Sequence, residues 1–101
     1  MDLFKLMNDA RKMQSQMKKL QKEIRKIREE GSSKDGNVKV VLSGEYNLED
    51  IEINEITDSK KLKKAVKEAF QNARKKVDTR IKELTNEYMK GIPKDVQGFL
   101  S

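Results

Sequence analysis

One apolar stripe near the start of the chain limits the possible folds more than any other feature. Leu3, Leu6, Ala10, Met13, Met17, Leu20, Ile24 and Ile27 recur at alternating intervals of three and four residues. This is the a/d pattern of a helix with a narrow hydrophobic seam, Leu3, Ala10, Met17 and Ile24 falling at a. Neither Pro nor Gly interrupts it before Gly31, so the spacing predicts a helix over residues 2–30 that Gly31 ends. At about 1.5 Å per residue such a helix is about 43 Å long. A compact domain of about 100 residues has a radius of gyration of only about 13 Å. The helix is therefore expected to project from the body or to lie along a partner.

Residues 31–37, Gly-Ser-Ser-Lys-Asp-Gly-Asn, carry turn chemistry and are expected to form a loop. Alternation comes next, with Val38, Val40 and Leu42 on one face of a strand. Ser43-Gly44-Glu45 is expected to turn, and Tyr46 to Ile56 to return as a second strand bearing Ile51 and Ile53 on one face. The apolar phase slips between Leu48 and Ile51, which fits a β-bulge. An isolated two-stranded hairpin is marginally stable at best, so a third strand or a partner is needed. Asp58 or Ser59 can cap a second helix, in which Leu62, Val66, Ala69, Phe70, Ala73, Val77, Ile81, Leu84 and Tyr88 recur at mostly helical spacing. Gly91-Ile92-Pro93 ends it. One domain over residues 1–101 is expected: a helical arm (1–30), a hairpin or small sheet (31–57), a second helix (58–90) and an irregular tail (91–101).

The 101 residues include no Cys, His or Trp. Ser-His and Cys-His nucleophile pairs, thiol redox chemistry and Cys/His zinc sites are thereby excluded, and no enzyme activity, metal or cofactor is expected. No apolar run approaches the roughly 20 residues needed to span a bilayer. Residues 1–17 are broken by Lys5, Asp9, Arg11 and Lys12 and do not resemble a secretory leader. A cytoplasmic location is expected, with no membrane partner and no small-molecule substrate.

The net charge of +6 conceals a contrast along the chain. Residues 1–30 carry nine Lys/Arg against five Asp/Glu, residues 31–57 two against six, and residues 58–90 eleven against five. Such asymmetry points to a polyanionic partner. In the heptad frame of the first helix, the b positions are Phe4, Arg11, Lys18 and Arg25, and the c positions are Lys5, Lys12, Lys19 and Lys26. Seven of these eight positions are cationic and none is acidic, whereas Asp9, Glu23 and Glu30 fall at g beside the seam. A merely solvated face usually mixes signs to gain i,i+4 pairs. On the second helix Lys60, Lys64, Lys67 and Arg74 share a face, and Lys75, Lys76 and Arg80 add charge further along. There, Glu68, Asp78 and Glu83 interrupt the stripe.

Two basic helix faces suit phosphate neutralisation with counterion release. The scarcity of aromatic platforms (Tyr46 and Tyr88 are the only Tyr residues) argues against a single-strand reader built on stacking. Duplex backbone binding with modest sequence preference remains. The candidate DNA contacts are Lys5, Arg11, Lys12, Lys18, Lys19, Arg25 and Lys26, with Lys75, Lys76 and Arg80 secondary. Asp50 and Glu52 with Lys39 faintly echo a metal-dependent nuclease cluster, but a third ligand has no clear place, and a solvated hairpin face is the plainer reading. Membrane-surface binding fits less well, because the apolar stripe is a narrow seam without Trp.

The chain resembles the YbaB/EbfC family of small bacterial nucleoid-associated proteins. The resemblance rests on the order and spacing of several pieces. These are Met7-Asn8-Asp9-Ala10-Arg11-Lys12-Met13-Gln14-Ser15-Gln16-Met17, Gly36-Asn37-Val38-Lys39-Val40, Ser43-Gly44-Glu45-Tyr46 and Ile51-Glu52-Ile53-Asn54. Ala65-Val66, Ala69-Phe70-Gln71-Asn72-Ala73, Gly91-Ile92-Pro93 and Gly98-Phe99 complete the series. The chain departs from the family pattern at Asn54-Glu55 and Gln71-Asn72-Ala73. The resemblance implies an α+β fold, α-β-β-β-α, in a tweezer-like homodimer whose arms embrace duplex DNA. It puts the sheet and second helix at the dimer centre, hence Val38, Val40, Leu42, Ile51, Ile53 and Phe70 at the interface. It also implies nucleoid organisation with broad or weak sequence preference. The third strand would have to come from about Arg28 to Ser33, a stretch that periodicity assigns to helix end and loop. A rival from another class is a helix–hairpin–helix chaperone or coiled-coil assembly subunit resembling prefoldin, whose arms hold clients with apolar tips. Here only Leu3, Phe4 and Met7 are available for that task.

Overall fold

The computed structural model describes residues 2–90. Helix α1 spans Leu3–Lys26, strands β1, β2 and β3 span Arg28–Ser32, Val38–Ser43 and Leu48–Ile53, and helix α2 spans Ser59–Met89. The strands form one antiparallel sheet in the order β1-β2-β3. The α-β-β-β-α, α+β architecture is as expected. The molecule measures 67 × 18 × 16 Å with a radius of gyration of 19.2 Å, well beyond the roughly 13 Å of a compact chain this long.

Each helix starts on an aspartate. The Asp2 carboxylate accepts from the Phe4 amide at 3.0 Å and Asp58 from the Lys60 amide at 2.9 Å, each satisfying an amide with no partner inside the helix. The end of α1 corrects the expectation of a helix to residue 30. Ile27 turns extended (φ −60°, ψ 133°), and its carbonyl accepts from the Gly44 amide at 3.2 Å. The Arg28 guanidinium donates to the Arg25 and Ile27 carbonyls, at 2.7 Å each, completing the stop.

The chain then enters β1 rather than a loop, and the pairing of β1 with β2 explains why periodicity misses this strand. Glu29 lies opposite Leu42 and Gly31 opposite Val40. The positions facing α2 are therefore Glu29 and Gly31, and neither is a large apolar residue. Gly31 is needed there because a Cβ would lie 2.2 Å from the Ala73 nitrogen. In the β1–β2 turn the Asp35 carboxylate accepts from the Ser33 hydroxyl at 2.6 Å and from the Asn37 amide N–H at 3.0 Å. The serine bond, and after it the amide, holds the Asp35 carboxyl below its usual range.

Helix α2 presents three adjacent ridges, each with residues four apart. Ala65, Ala69, Ala73 and Val77 are buried against the sheet, over Val38, Val40 and Leu42. On one flank the Lys34 amide donates to Glu68 at 3.3 Å, Asn72 donates to the Ser32 carbonyl at 2.8 Å and Lys76 to the Glu30 carbonyl at 2.8 Å. These contacts satisfy the free edge of β1. On the other flank stand Val66, Phe70, Arg74 and Asp78. Asp78 accepts from the Tyr46 hydroxyl, and Arg74 lies 5.7 Å from that ring's centre. The bond to Asp78 raises the Tyr46 phenol above its usual range.

The expected bulge is present. Val41 pairs with Asp50 but Leu42 with Leu48, leaving Glu49 as the extra residue. The insertion restores phase, so Leu48, Ile51 and Ile53 all lie on the α2 side, opposite Leu42, Val40 and Val38. Helix α2 covers β1 and β2 only. Leu48, Ile51 and Ile53 remain 53%, 38% and 47% exposed. Of the six expected interface residues, Val38, Val40 and Leu42 are buried in the chain's own core and keep no exposed surface. Ile51, Ile53 and half-buried Phe70 keep theirs.

Met17, Leu20, Ile24 and Ile27 of the α1 seam pack with Val77, Ile81, Leu84 and Tyr88 of α2. Nearer the N-terminus the cover stops, and α1 continues as an arm with Leu3 and Leu6 exposed. The expected stop at Gly91-Ile92-Pro93 and the expected tail over 91–101 lie outside the described residues.

Candidate nucleic-acid interface

The heptad frame becomes physical once one side of α1 is fixed against α2. The b, c and f positions then point outward along the full helix. Lys5, Arg11, Lys12, Lys18, Lys19, Arg25 and Lys26 are all exposed. Along b and along c, successive positions stand seven residues, or about 10.5 Å, apart. Among the described residues, only Lys26 of these seven forms an ion pair, with Glu23 at 3.4 Å. The other six keep their charge uncompensated. An anion can therefore be engaged without first breaking an internal pair.

The f position, midway between b and c, carries the exposed Lys22. Sequence reasoning missed it, although the heptad that placed its neighbours also places Lys22 on the outward face. Asn8 and Ser15 occupy the other f positions of the helix, so the outward face of α1 has no acid on b, c or f between Leu3 and Lys26.

The second-helix candidates divide differently. Lys75 is exposed and unpaired among the described residues. The Lys76 ammonium is held by the Glu30 carbonyl, and Arg80 pairs with Glu83 at 3.3 Å. An open groove of about 310 Å³ between α2 and the start of β1 is lined by Glu29, Lys75, Lys76, Thr79, Arg80 and Glu83. Arg80 and Glu29 also line a neighbouring groove with Lys26 and Arg28. The fold thus brings Lys26 and Arg80 together, but among Glu23, Glu29 and Glu83. Alternating sign makes this groove a weaker phosphate site than the arm.

The acidic hairpin is separate from both. Asp50 and Glu52 line an outer-face depression with Glu30, Lys39 and Val41, and Lys39 pairs with Glu30 at 3.8 Å. Among the described residues no three His, Cys, Asp or Glu side chains gather to hold a metal ion. No helix among them is long and apolar enough to cross a membrane.

The fold and this face define a class: an elongated α-β-β-β-α protein with one outward cationic helix face. The chain belongs to the YbaB/EbfC DNA-binding family, whose model matches residues 1–92. Membership and fold both agree with the expectations from sequence. Seven chains of solved structures match. One is the crystal structure of an uncharacterized protein, HP0035, from Helicobacter pylori, with a TM-score of 0.76 and 21% identity. That match covers 88% of this chain and 98% of the other. At that identity the likeness shows the fold alone. Comparison with curated proteins finds no match.

Proposed function

We propose that this chain is a nucleoid-associated protein that binds duplex DNA as a homodimer, gripping phosphates with the outward face of α1. The observation that carries the reading is the set of six exposed cations, unpaired among the described residues, at b and c of a projecting helix. Phosphate contacts position a protein without reading sequence, so broad or weak preference is expected. Lys22 and Lys75 extend the contact surface, and Lys76 and Arg80 act mainly within the fold. No catalytic residue is assigned, and the location that fits is the nucleoid in the cytoplasm.

The dimer reading rests on the uncovered inner face of β3. Leu48, Ile51 and Ile53 complete the face that α2 leaves open, and Phe70 and Val66 border it. Burying a side chain of this size contributes about 1.5–3 kcal/mol, so a second copy seated there gains substantial apolar contact. Replacing Ile51 and Ile53 together by Glu should weaken self-association by at least about a hundredfold, because charges cannot be buried unpaired. Light scattering with chromatography checks this: the variant should elute as a folded monomer, and a variant retaining the dimer mass would place the interface elsewhere.

The exposed arm tip with Leu3, Phe4, Leu6 and Met7 favours a second reading, a prefoldin-like holder of unfolded clients. The two are separated during purification. Co-purifying nucleic acid that absorbs at 260 nm and is stripped by high salt supports DNA binding. Suppression of client aggregation without DNA affinity supports the chaperone reading.

A further inference from the structure

Of the eight b and c positions on α1, seven are cationic, and the eighth is Phe4. Phe4 is 79% exposed, the highest value among the large apolar residues described as exposed. Packing does not explain it: b faces away from the seam, and Phe4 is not among the residues packed on the core. Nor does helix initiation, since Asp2 caps through the Phe4 amide and leaves the ring uninvolved. Leu3 and Met7, 69% and 48% exposed, stand beside it, and Lys5 is next in sequence.

We propose that Phe4 is an apolar wedge that enters a base step of duplex DNA while the cations behind it hold the phosphates. The proposal rests on the DNA-binding reading and adds a deformation to it. Charge complementarity selects the occupant. Phe4 continues the b row of Arg11, Lys18 and Arg25 at the same seven-residue interval, and Lys5, Arg11 and Lys12 lie within about two turns of it. A helix laid along the backbone through those residues carries Phe4 to the duplex as well. Apolar side chains brought to a groove this way partially unstack one step and kink the duplex, and the favourable sites are flexible pyrimidine–purine steps. A modest preference for such steps arises without any hydrogen bond to a base edge. Leu3 and Met7 then rest against the sugars beside the opened step.

The test uses the full chain, Phe4→Ala and Phe4→Leu on two DNA substrates. The first is a closed circular plasmid relaxed by a topoisomerase in the presence of protein. The second is a linear duplex with 2-aminopurine at a TA step. Wild type should change the linking number and raise the fluorescence. Phe4→Ala should abolish both effects and bind about tenfold more weakly, with its salt slope unchanged within about one unit because no phosphate contact is lost. Phe4→Leu should restore much of the deformation. Because residue 4 is exposed and Ala is the best helix former, the variant should remain folded. Wild type that binds with a steep salt slope but leaves linking number and fluorescence unchanged would overturn the wedge and spare the DNA-binding reading. The same holds if Phe4→Ala deforms DNA as well as wild type. Absence of any wild-type binding would overturn both.

Discussion

Gly31→Ala is expected to destabilise the protein by about 3 kcal/mol or more, at the upper end of overpacking effects. In an ordinary strand the change would help slightly, because Gly carries the larger entropy loss on folding. Here the added Cβ would lie 2.2 Å from the Ala73 nitrogen, 2.3 Å from the Ala69 oxygen and 2.7 Å from the Ala73 Cα. All three are helix backbone atoms, so no side chain can rotate aside. Relief requires α2 to lift from β1, loosening Val38, Val40 and Leu42 beneath it. For a domain of this size the melting temperature should fall by about 12 °C or more. Gly44→Ala should behave similarly, since its Cβ would press on the Ile24 carbonyl at the end of α1. Gly36→Ala is the control. With φ of 75° and nothing within 4 Å, it meets only the left-handed backbone penalty of about 1–2 kcal/mol. Thermal denaturation at matched protein concentration checks the order, and Gly31→Ala no less stable than Gly36→Ala would contradict it.

The second large effect concerns binding rather than folding. Replacing Arg11, Lys12, Lys18 and Lys19 together by Gln should weaken duplex binding by about two to three orders of magnitude near 0.1 M salt, as four phosphate contacts disappear. Folding should change little, because all four side chains are exposed and unpaired among the described residues. The loss should be uniform across unrelated duplexes, since phosphates carry no sequence information. Competition assays with several duplexes check this. Loss confined to one sequence would assign these residues to base readout.

The legible parts of the fold are those that repeat with a large apolar residue. The α1 seam, the α2 stripe and β2 each bury one such set. The slip between Leu48 and Ile51 marks the bulge correctly because the phase of β3 must match that of β2. Strand β1 is hidden for the opposite reason: its α2-facing positions are Glu29 and Gly31, and Gly31 is required by the close approach of a helix backbone rather than by hydrophobicity. Strand β2 shows a related limit. Alternation shows that Val38, Val40 and Leu42 face something apolar, but not whether that surface belongs to α2 or to a second copy. Lys76 illustrates the limit for charges, because only the structure shows its ammonium bound to the open edge of β1. The arm is more legible, since a heptad with seven cations away from its seam fixes which face they share, and all seven are exposed.

The central claim, that the outward face of α1 holds duplex DNA through phosphates, is tested most directly by affinity against salt concentration. For about six neutralised phosphates, log affinity should fall with log salt at a slope near about −5 for the wild-type chain. The slope should drop to about −2 for the four-residue Gln variant. A flat dependence in the wild type, or a slope the four substitutions leave unchanged, would contradict the account.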